Sequence, residues 1–191
     1  NPKIKFYQAS SSEMYGNIKS KIKNEQTQFS PTSPYAISKL FAYYTTKMYR
    51  ETHSMFTVNG ILFNHESPLR GLEFVTRKIT NEIAKISLGI TKKLVLGNLE
   101  SKRDWGHAQE YVEMMWKMLK QKNCDDYVLA TGESHSVKEF VETACKEAGV
   151  SKNCVVSHKK YLRPSDVNNL VGDSSKAKKI LGWKPKITFS K

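Results

Sequence analysis

The sequence predicts an α/β chain built on a partly parallel sheet. Two observations carry this. Strand-like alternation at residues 1–9 and an apolar run at residues 56–63 flank one long helical stretch, the strand–helix–strand order of a parallel crossover. Each of these strands then runs into a polar stretch: Ser10-Ser11-Ser12-Glu13 after the first, and Asn64-His65-Glu66-Ser67-Pro68-Leu69-Arg70-Gly71 after the second. Polar side chains collected just past strand ends are what a sheet delivers to a cleft.

The elements follow in order. In the first strand Ile4, Phe6 and Ala9 alternate with Lys5 and Tyr7. Residues 17–32 are polar, with Pro31 near their end, and read as a loop. Ser33 is a good N-cap and Pro34 suits the first helical position, so a helix opens there and runs without Gly or Pro to about residue 51. Residues 73–88 form a second helix closed by Gly89, with Val75, Ile79, Ile83 and Ile86 on one face. A short strand at 94–96 precedes the polar-aromatic knot Arg103-Asp104-Trp105-Gly106-His107. A third helix at about 108–120 carries Tyr111, Val112, Met115, Trp116 and Leu119, a stripe assigned to core packing. After a strand at 127–130, Ser136 and Glu139 have capping-box spacing and open a helix to about residue 148, with Val137, Phe140, Val141 and Ala144 facing inward. Beyond Gly149 the chain is lysine-rich and irregular. It holds a last polar knot at residues 161–166 and a short helix from Ser174 that ends at Gly182 and Pro185.

Composition bounds the function. A chain of 191 residues buries a real core. No apolar run approaches the roughly 20 residues that span a bilayer. The net charge of +13 suits an anionic partner, either nucleic acid or a nucleotide ligand. The basic residues are scattered, with no RNA-binding aromatic signature, zinc-finger spacing or arginine tract, so nucleic acid is not the expected partner. Cys124, Cys145 and Cys154 have no metal-like spacing and read as reduced thiols of a cytoplasmic protein. His65 and Glu66 are adjacent and would face opposite ways in an extended segment, so no metal site is expected.

Tyr35 and Lys39 are four residues apart, hence one turn apart on a single helical face. An ammonium beside a phenol favours the phenolate, which makes Tyr35 a candidate base and Lys39 its activator. Taken alone, the pair also fits an ordinary exposed helical pair, and Ser11 and Glu13 also fit an ordinary turn.

The segments Ser11-Ser12-Glu13, Tyr35-Ala36-Ile37-Ser38-Lys39, Asn64-His65-Glu66-Ser67-Pro68 and Arg103-Asp104-Trp105-Gly106-His107 occur in this order. With them the chain resembles the GDP-mannose 4,6-dehydratase family, a nucleotide-sugar branch of the extended short-chain dehydrogenases. Tyr-x-x-x-Lys alone indicates only a short-chain dehydrogenase. Residues 59–68, 74–79 and 103–111 single out the GDP-mannose branch, and the resemblance extends over nearly the whole chain.

The resemblance implies a fold: the C-terminal part of a Rossmann-like parallel sheet plus a smaller α/β nucleotide-sugar-binding domain. It assigns residues 1–64 to the remainder of the NADP-binding half. Residues 65–191 are mainly the GDP-sugar domain, with some segments returning to the first half. It also implies roles. Tyr35 takes the proton from the sugar 4-hydroxyl, Lys39 lowers its pKa and holds the nicotinamide ribose, and Ser11 (usually Thr in the family) hydrogen-bonds the 4-oxyanion. Glu13 removes the carbon-5 proton and helps water leave carbon 6. Tyr35, Lys39, His65 and Arg70 would contact NADP, although Leu69 replaces the first of two arginines common in the family. Asn64, Val75, Lys78, Arg103, Arg163 and Asp166 would contact GDP-mannose. A homodimer or homotetramer is implied as well.

The family's Gly-rich phosphate loop is not found in the sequence. The connection between Val150 and Tyr161 is short for the family, which also continues past Lys191 into another helix. The chain is therefore expected to be a fragment, or the ordered part of a longer protein, that binds NADP poorly and is inactive alone. The alternatives are a related nucleotide-sugar epimerase, which needs no Glu at position 13, and a catalytically incompetent substrate-binding fragment.

Overall fold

The computed structural model describes residues 4–20, 22–161 and 169–191. Its centre is a three-stranded parallel sheet in the order β1 (Lys5–Ser11), β2 (Phe56–Leu62), β7 (Asp126–Leu129). The register aligns Ser11 with Leu62, and Leu62 with Leu129, so all three strands end at one edge. β2 is buried almost throughout because both of its faces are covered. The two-residue period of the strands sorts their side chains between two cores.

One core holds Val58, Leu62, Tyr127 and Leu129 against Tyr111, Met114 and Met118 of α3 (Ala108–Leu119) and Ala177 and Leu181 of α5 (Ser175–Leu181). The other holds Ile61, Phe63, Val128 and Ala130 against Tyr43 of α1 (Pro34–His53) and against Met14 and Tyr15. These last two lie in a 3-10 turn, Ser12–Tyr15, that directly follows β1. Gly16 ends the turn at φ 55°, and a Cβ there would lie 1.7 Å from the Ser30 carbonyl oxygen, so only glycine lets the 17–32 loop return so closely.

On the second face an ionic network crosses from α1 to the sheet. Asp126 accepts hydrogen bonds from Tyr43 at 2.9 Å, from Asn59 at 3.0 Å and from Arg50. Burial works to raise the Asp126 carboxyl, but the Arg50 guanidinium and the Asn59 and Tyr43 donors outweigh it and hold it below the usual carboxylate value.

A third core builds the remainder. Ile79 and Ile83 of α2 (Val75–Ser87) pack with Leu94 and Leu96 of β4 (Leu94–Leu96), with Trp105, and with Val137, Val141 and Cys145 of α4 (Val137–Glu147). β4 pairs in parallel with β9 (Val155–Ser157). Ser136 and Glu139 form the expected capping box at the start of α4.

Ile4, which precedes β1, and Phe6 are exposed. One expectation is corrected. In α3 the buried stripe is Tyr111, Met114 and Met118, with Met115 and Leu119 partly covered, whereas Val112 and Trp116 are exposed. At 100° per residue, positions 112 and 116 turn away from a face centred on 111, 114 and 118. The polar-aromatic knot at 103–107 forms two short strands, β5 (Lys102–Arg103) and β6 (Trp105–His107), joined at Asp104.

Candidate active site

The site is assembled at the edge where the parallel strands end, the usual location of function in open α/β sheets. Ser11 is the last residue of β1, and its Oγ accepts the Glu13 backbone N–H at 3.2 Å. The turn this caps sets Glu13 just beyond the strand, half-buried.

α1 starts as the sequence predicts: Ser33 Oγ accepts the Ala36 N–H at 3.1 Å, and Pro34 occupies the first turn. The helix runs back along the sheet. Arg50 binds the Thr57 carbonyl near the start of β2, whereas Lys39 Nζ donates to the Ala9 carbonyl at 2.9 Å, near the end of β1. Tyr35 therefore stands one turn beyond Ala9, at the level of the strand ends, and is 54% exposed. Lys39 Nζ lies 5.6 Å from the centre of the Tyr35 ring. Ser11, Glu13, Tyr35 and Lys39 thus come from three adjoining elements, β1, the 3-10 turn after it and α1, and gather at one sheet edge.

The second polar run leaves the same edge. β3 (Asn64–Glu66) pairs in parallel with β6, aligning Asn64 with Trp105, His65 with Gly106 and Glu66 with His107. His65 Nδ1 contacts the Phe63 carbonyl at 2.8 Å, and its ring stacks on Tyr111 with centres 4.9 Å apart. Arg70 is turned towards Glu66 and Phe74. Its Nε makes an ion pair with Glu66 at 3.2 Å, without an aligned hydrogen bond, and its guanidinium lies 3.5 Å from the centre of the Phe74 ring. Glu66 also accepts Thr76 Oγ1 at 2.6 Å, which ties this loop to the first turn of α2.

Val75 and Lys78 lie in that first turn, which has no side-chain cap and no acidic residue. Free N–H groups and the positive end of the helix dipole favour an anion there. Lys78 Nζ donates to the Val95 carbonyl at 3.0 Å and sits 4.9 Å from the centre of the Tyr161 ring. Arg103, in β5, lies between Leu170 of β10 (Asn169–Leu170) and His135 of β8 (His135–Ser136). Arg163 and Asp166 lie outside the described residues.

Sequence reasoning gave Asp104 no role of its own and read Tyr111 as core packing alone, whereas its ring also backs His65. Asp104 is fully buried and accepts the N–H groups of Thr131, Gly132 and Gly172 and the Thr131 hydroxyl, so it joins the knot to the end of β7 and to the segment after β10. Burial nevertheless raises its carboxyl above the usual value, against those four donors. Its place beside Arg103 inside the quoted motif was the available signal. Among the described residues no cluster of three or more His, Cys, Asp or Glu side chains suits a metal.

A groove of about 640 Å³ lies beside the second polar run, between α2, α4 and the 187–191 tail, and reaches Glu66, Ser67, Trp105 and His107. It is lined by the side of α2 that carries Thr76, Thr80, Ile83 and Ser87, and it holds none of the candidate residues. The polar gathering at the strand ends, not this groove, is the candidate site.

The whole chain, residues 1–191, matches the family described as GDP-mannose 4,6 dehydratase. The chain belongs to that family. It is 53% identical over 189 residues to GDP-mannose 4,6 dehydratase 1 of Arabidopsis thaliana, covering 98% of this chain and 52% of the relative. It is 49% identical over 206 residues to the Homo sapiens GDP-mannose 4,6 dehydratase, covering 97% of this chain and 55% of the relative. The chain therefore spans about half the length of the curated relatives it matches. Among solved structures, RMD from Pseudomonas aeruginosa, complexed with NADPH, superposes with a TM-score of 0.89 at 24% identity, over 97% of this chain and 63% of that one. The dTDP-glucose 4,6-dehydratase of Bacillus anthracis, complexed with NAD, superposes with a TM-score of 0.88 at 25% identity, over 99% and 59%. The α/β fold with parallel strands is thus that of the Rossmann-like nucleotide-sugar dehydratases.

Proposed function

We propose that this chain carries the catalytic residues and part of the sugar-nucleotide site of an NADP-dependent enzyme that converts GDP-mannose to GDP-4-keto-6-deoxymannose. The observation that carries this reading is the placement of Tyr35 and Lys39 beside Ser11 and Glu13 at the end of β1. Tyr35 removes the proton of the 4-hydroxyl. Ser11 hydrogen-bonds the oxygen as charge develops on it. The 4-ketone acidifies carbon 5, where Glu13 takes the proton and then assists the departure of water from carbon 6. Hydride acceptance from carbon 4 and its return to carbon 6 are the chemistry that bound NADP⁺ would supply.

The residues present fit such a cofactor. Lys39 brings an ammonium to the strand ends beside a phenol that stands open, and His65 is held from behind by Phe63 and Tyr111 and left half-buried. Lys39, Tyr35, His65 and Arg70 are the groups assigned to it. Arg70 would have to leave its seat between Glu66 and Phe74. For the sugar nucleotide, Asn64, Val75, Lys78, Arg103, Arg163 and Asp166 are assigned. The uncapped start of α2, with Lys78 on it, supports a diphosphate there.

We also assign residues 1–64 to the cofactor half and residues 65–191 mainly to the sugar half, with β7 paired into the first sheet and α3 and α5 packed on it. A homo-oligomer is proposed because Ile37, Phe41, Tyr44 and Met48 form an exposed apolar stripe on one face of α1. The cytoplasm is the proposed compartment, supported by three free cysteines. No described helix is long and apolar enough to cross a membrane.

Glu13 separates this reading from an epimerase. In the natural protein carrying this chain, Glu13→Gln is expected to keep the first oxidation, seen as one turnover of NADPH absorbance, and to slow water loss about 100- to 10,000-fold. A variant that dehydrates GDP-mannose at the full rate contradicts the assignment.

A further inference from the structure

The proposed chemistry uses none of the three cysteines, yet two of them meet. Cys145 lies in the last turns of α4 and is 3% exposed within the third core. Cys154 closes a 3-10 turn, Lys152–Cys154, and packs half-buried against the same core. Between them the chain reverses at Gly149 (φ 65°), and Val150 N–H returns to the Cys145 carbonyl at 2.9 Å. The reversal packs both side chains into the third core and makes Cys154 the titratable side chain that most affects the Cys145 thiol. Cys124 is remote from both, packed against the α3 side of the central sheet.

We propose that Cys145 and Cys154 are a peroxide-responsive thiol pair that closes into a disulfide and fastens the end of α4 to the segment entering β9. The two thiols divide the labour by exposure. Cys154 is reached by solvent. The Cys145 thiol is pushed up to about 11 by burial and by its neighbour, so it stays protonated and does not react first. The Cys154 thiolate attacks hydrogen peroxide, the O–O bond breaks, and hydroxide leaves a sulfenic acid. The Cys145 sulfur then attacks the Cys154 sulfur. The S–O bond breaks, and the departing oxygen leaves as water with the Cys145 proton. Overall, two thiols and one peroxide give one disulfide and two waters. A thiol donor reverses the bond by exchange.

The staple reaches the candidate site through β9. His158 N–H binds the Leu96 carbonyl at 2.9 Å, and Tyr161, in the next turn, covers Lys78. That consequence rests on the assignment of Lys78 above. The disulfide itself does not, and its test needs no sugar nucleotide.

The test is peptide mapping of the folded protein after brief hydrogen peroxide treatment and alkylation, with tryptic cleavage after Lys152 followed in parallel. A Cys145–Cys154 cross-link is expected, lighter by two hydrogens than the paired thiols and reversed by dithiothreitol. Cys124 stays free to alkylate, and cleavage after Lys152 slows in the oxidised form. Cys124→Ser should keep the link and Cys154→Ser should lose it, leaving Cys145 reduced. Three alkylated thiols after peroxide, a link through Cys124, or Cys154 oxidised beyond sulfenic acid beside an untouched Cys145 would overturn the proposal. So would a disulfide that leaves cleavage after Lys152 unchanged.

Discussion

Tyr35 is more than half exposed, on the first turn of a helix whose next turn is anchored to β1 by Lys39. A phenol so placed contributes little to packing, so its substitution tests chemistry and not folding. In the natural protein, Tyr35→Phe is expected to lower kcat about 100- to 10,000-fold, with an unchanged thermal midpoint. Equal activity, read by product mass, contradicts a role as base. The opposite holds for Arg50. Its partner Asp126 is buried, and removing the guanidinium leaves an uncompensated charge. Arg50→Ala is expected to cost about 3–5 kcal/mol in denaturant unfolding. The pH dependence of that stability has a defined sign. Asp126 titrates lower folded than unfolded, so the pair's contribution is complete above the unfolded value, near 4 for an ordinary Asp. It is lost as pH falls through the folded value. Loss of the same contribution on raising pH from 5 to 8 would contradict this.

At the scale of elements, the capping box of α4 satisfies two N–H groups that helix geometry leaves open: Glu139 N–H reaches Ser136 Oγ at 3.0 Å, and Ser136 N–H reaches the Glu139 carboxylate at 2.5 Å. Ser136→Ala is expected to cost about 1 kcal/mol, read from the midpoint of urea unfolding, and no shift would contradict the cap. This helix, α1 and the Gly-terminated α2 were legible in sequence because their signals are local: a hydroxyl before the first turn, a proline inside it, a glycine after the last. The short strands were not. β5, β8 and β10 have two residues each and exist only because segments 32 or more positions apart pair with one another. No window of sequence contains that pairing. The α3 stripe failed for another reason: Trp116 and Val112 are large and apolar but lie on the outer side of the helix. Ser11, Glu13, Tyr35 and Lys39 were legible as separate motifs, and their meeting at one edge follows from the parallel register of β1 and β2.

Over the whole molecule, two features extend beyond the described chain contacts. β1 has one unpaired edge among the described residues, and α1 presents Phe41 at 75% exposure within an apolar stripe. Covering that stripe with a second copy is the simplest way to bury it. Phe41→Glu is expected to shift the natural protein towards monomer in light scattering, whereas an unchanged mass would remove α1 from the interface. The 191 residues taken alone contain no Gly-rich phosphate loop, and weak NADP binding is expected of them. Tight binding in a calorimetric titration of this chain would contradict that. The central claim is that Ser11, Glu13, Tyr35 and Lys39 dehydrate a sugar nucleotide. The direct test is mass spectrometry of GDP-mannose incubated with the natural protein and NADP⁺. The expected product is lighter by one water, with no net NADPH. An unchanged mass, or an isomer of the same mass, would contradict the account.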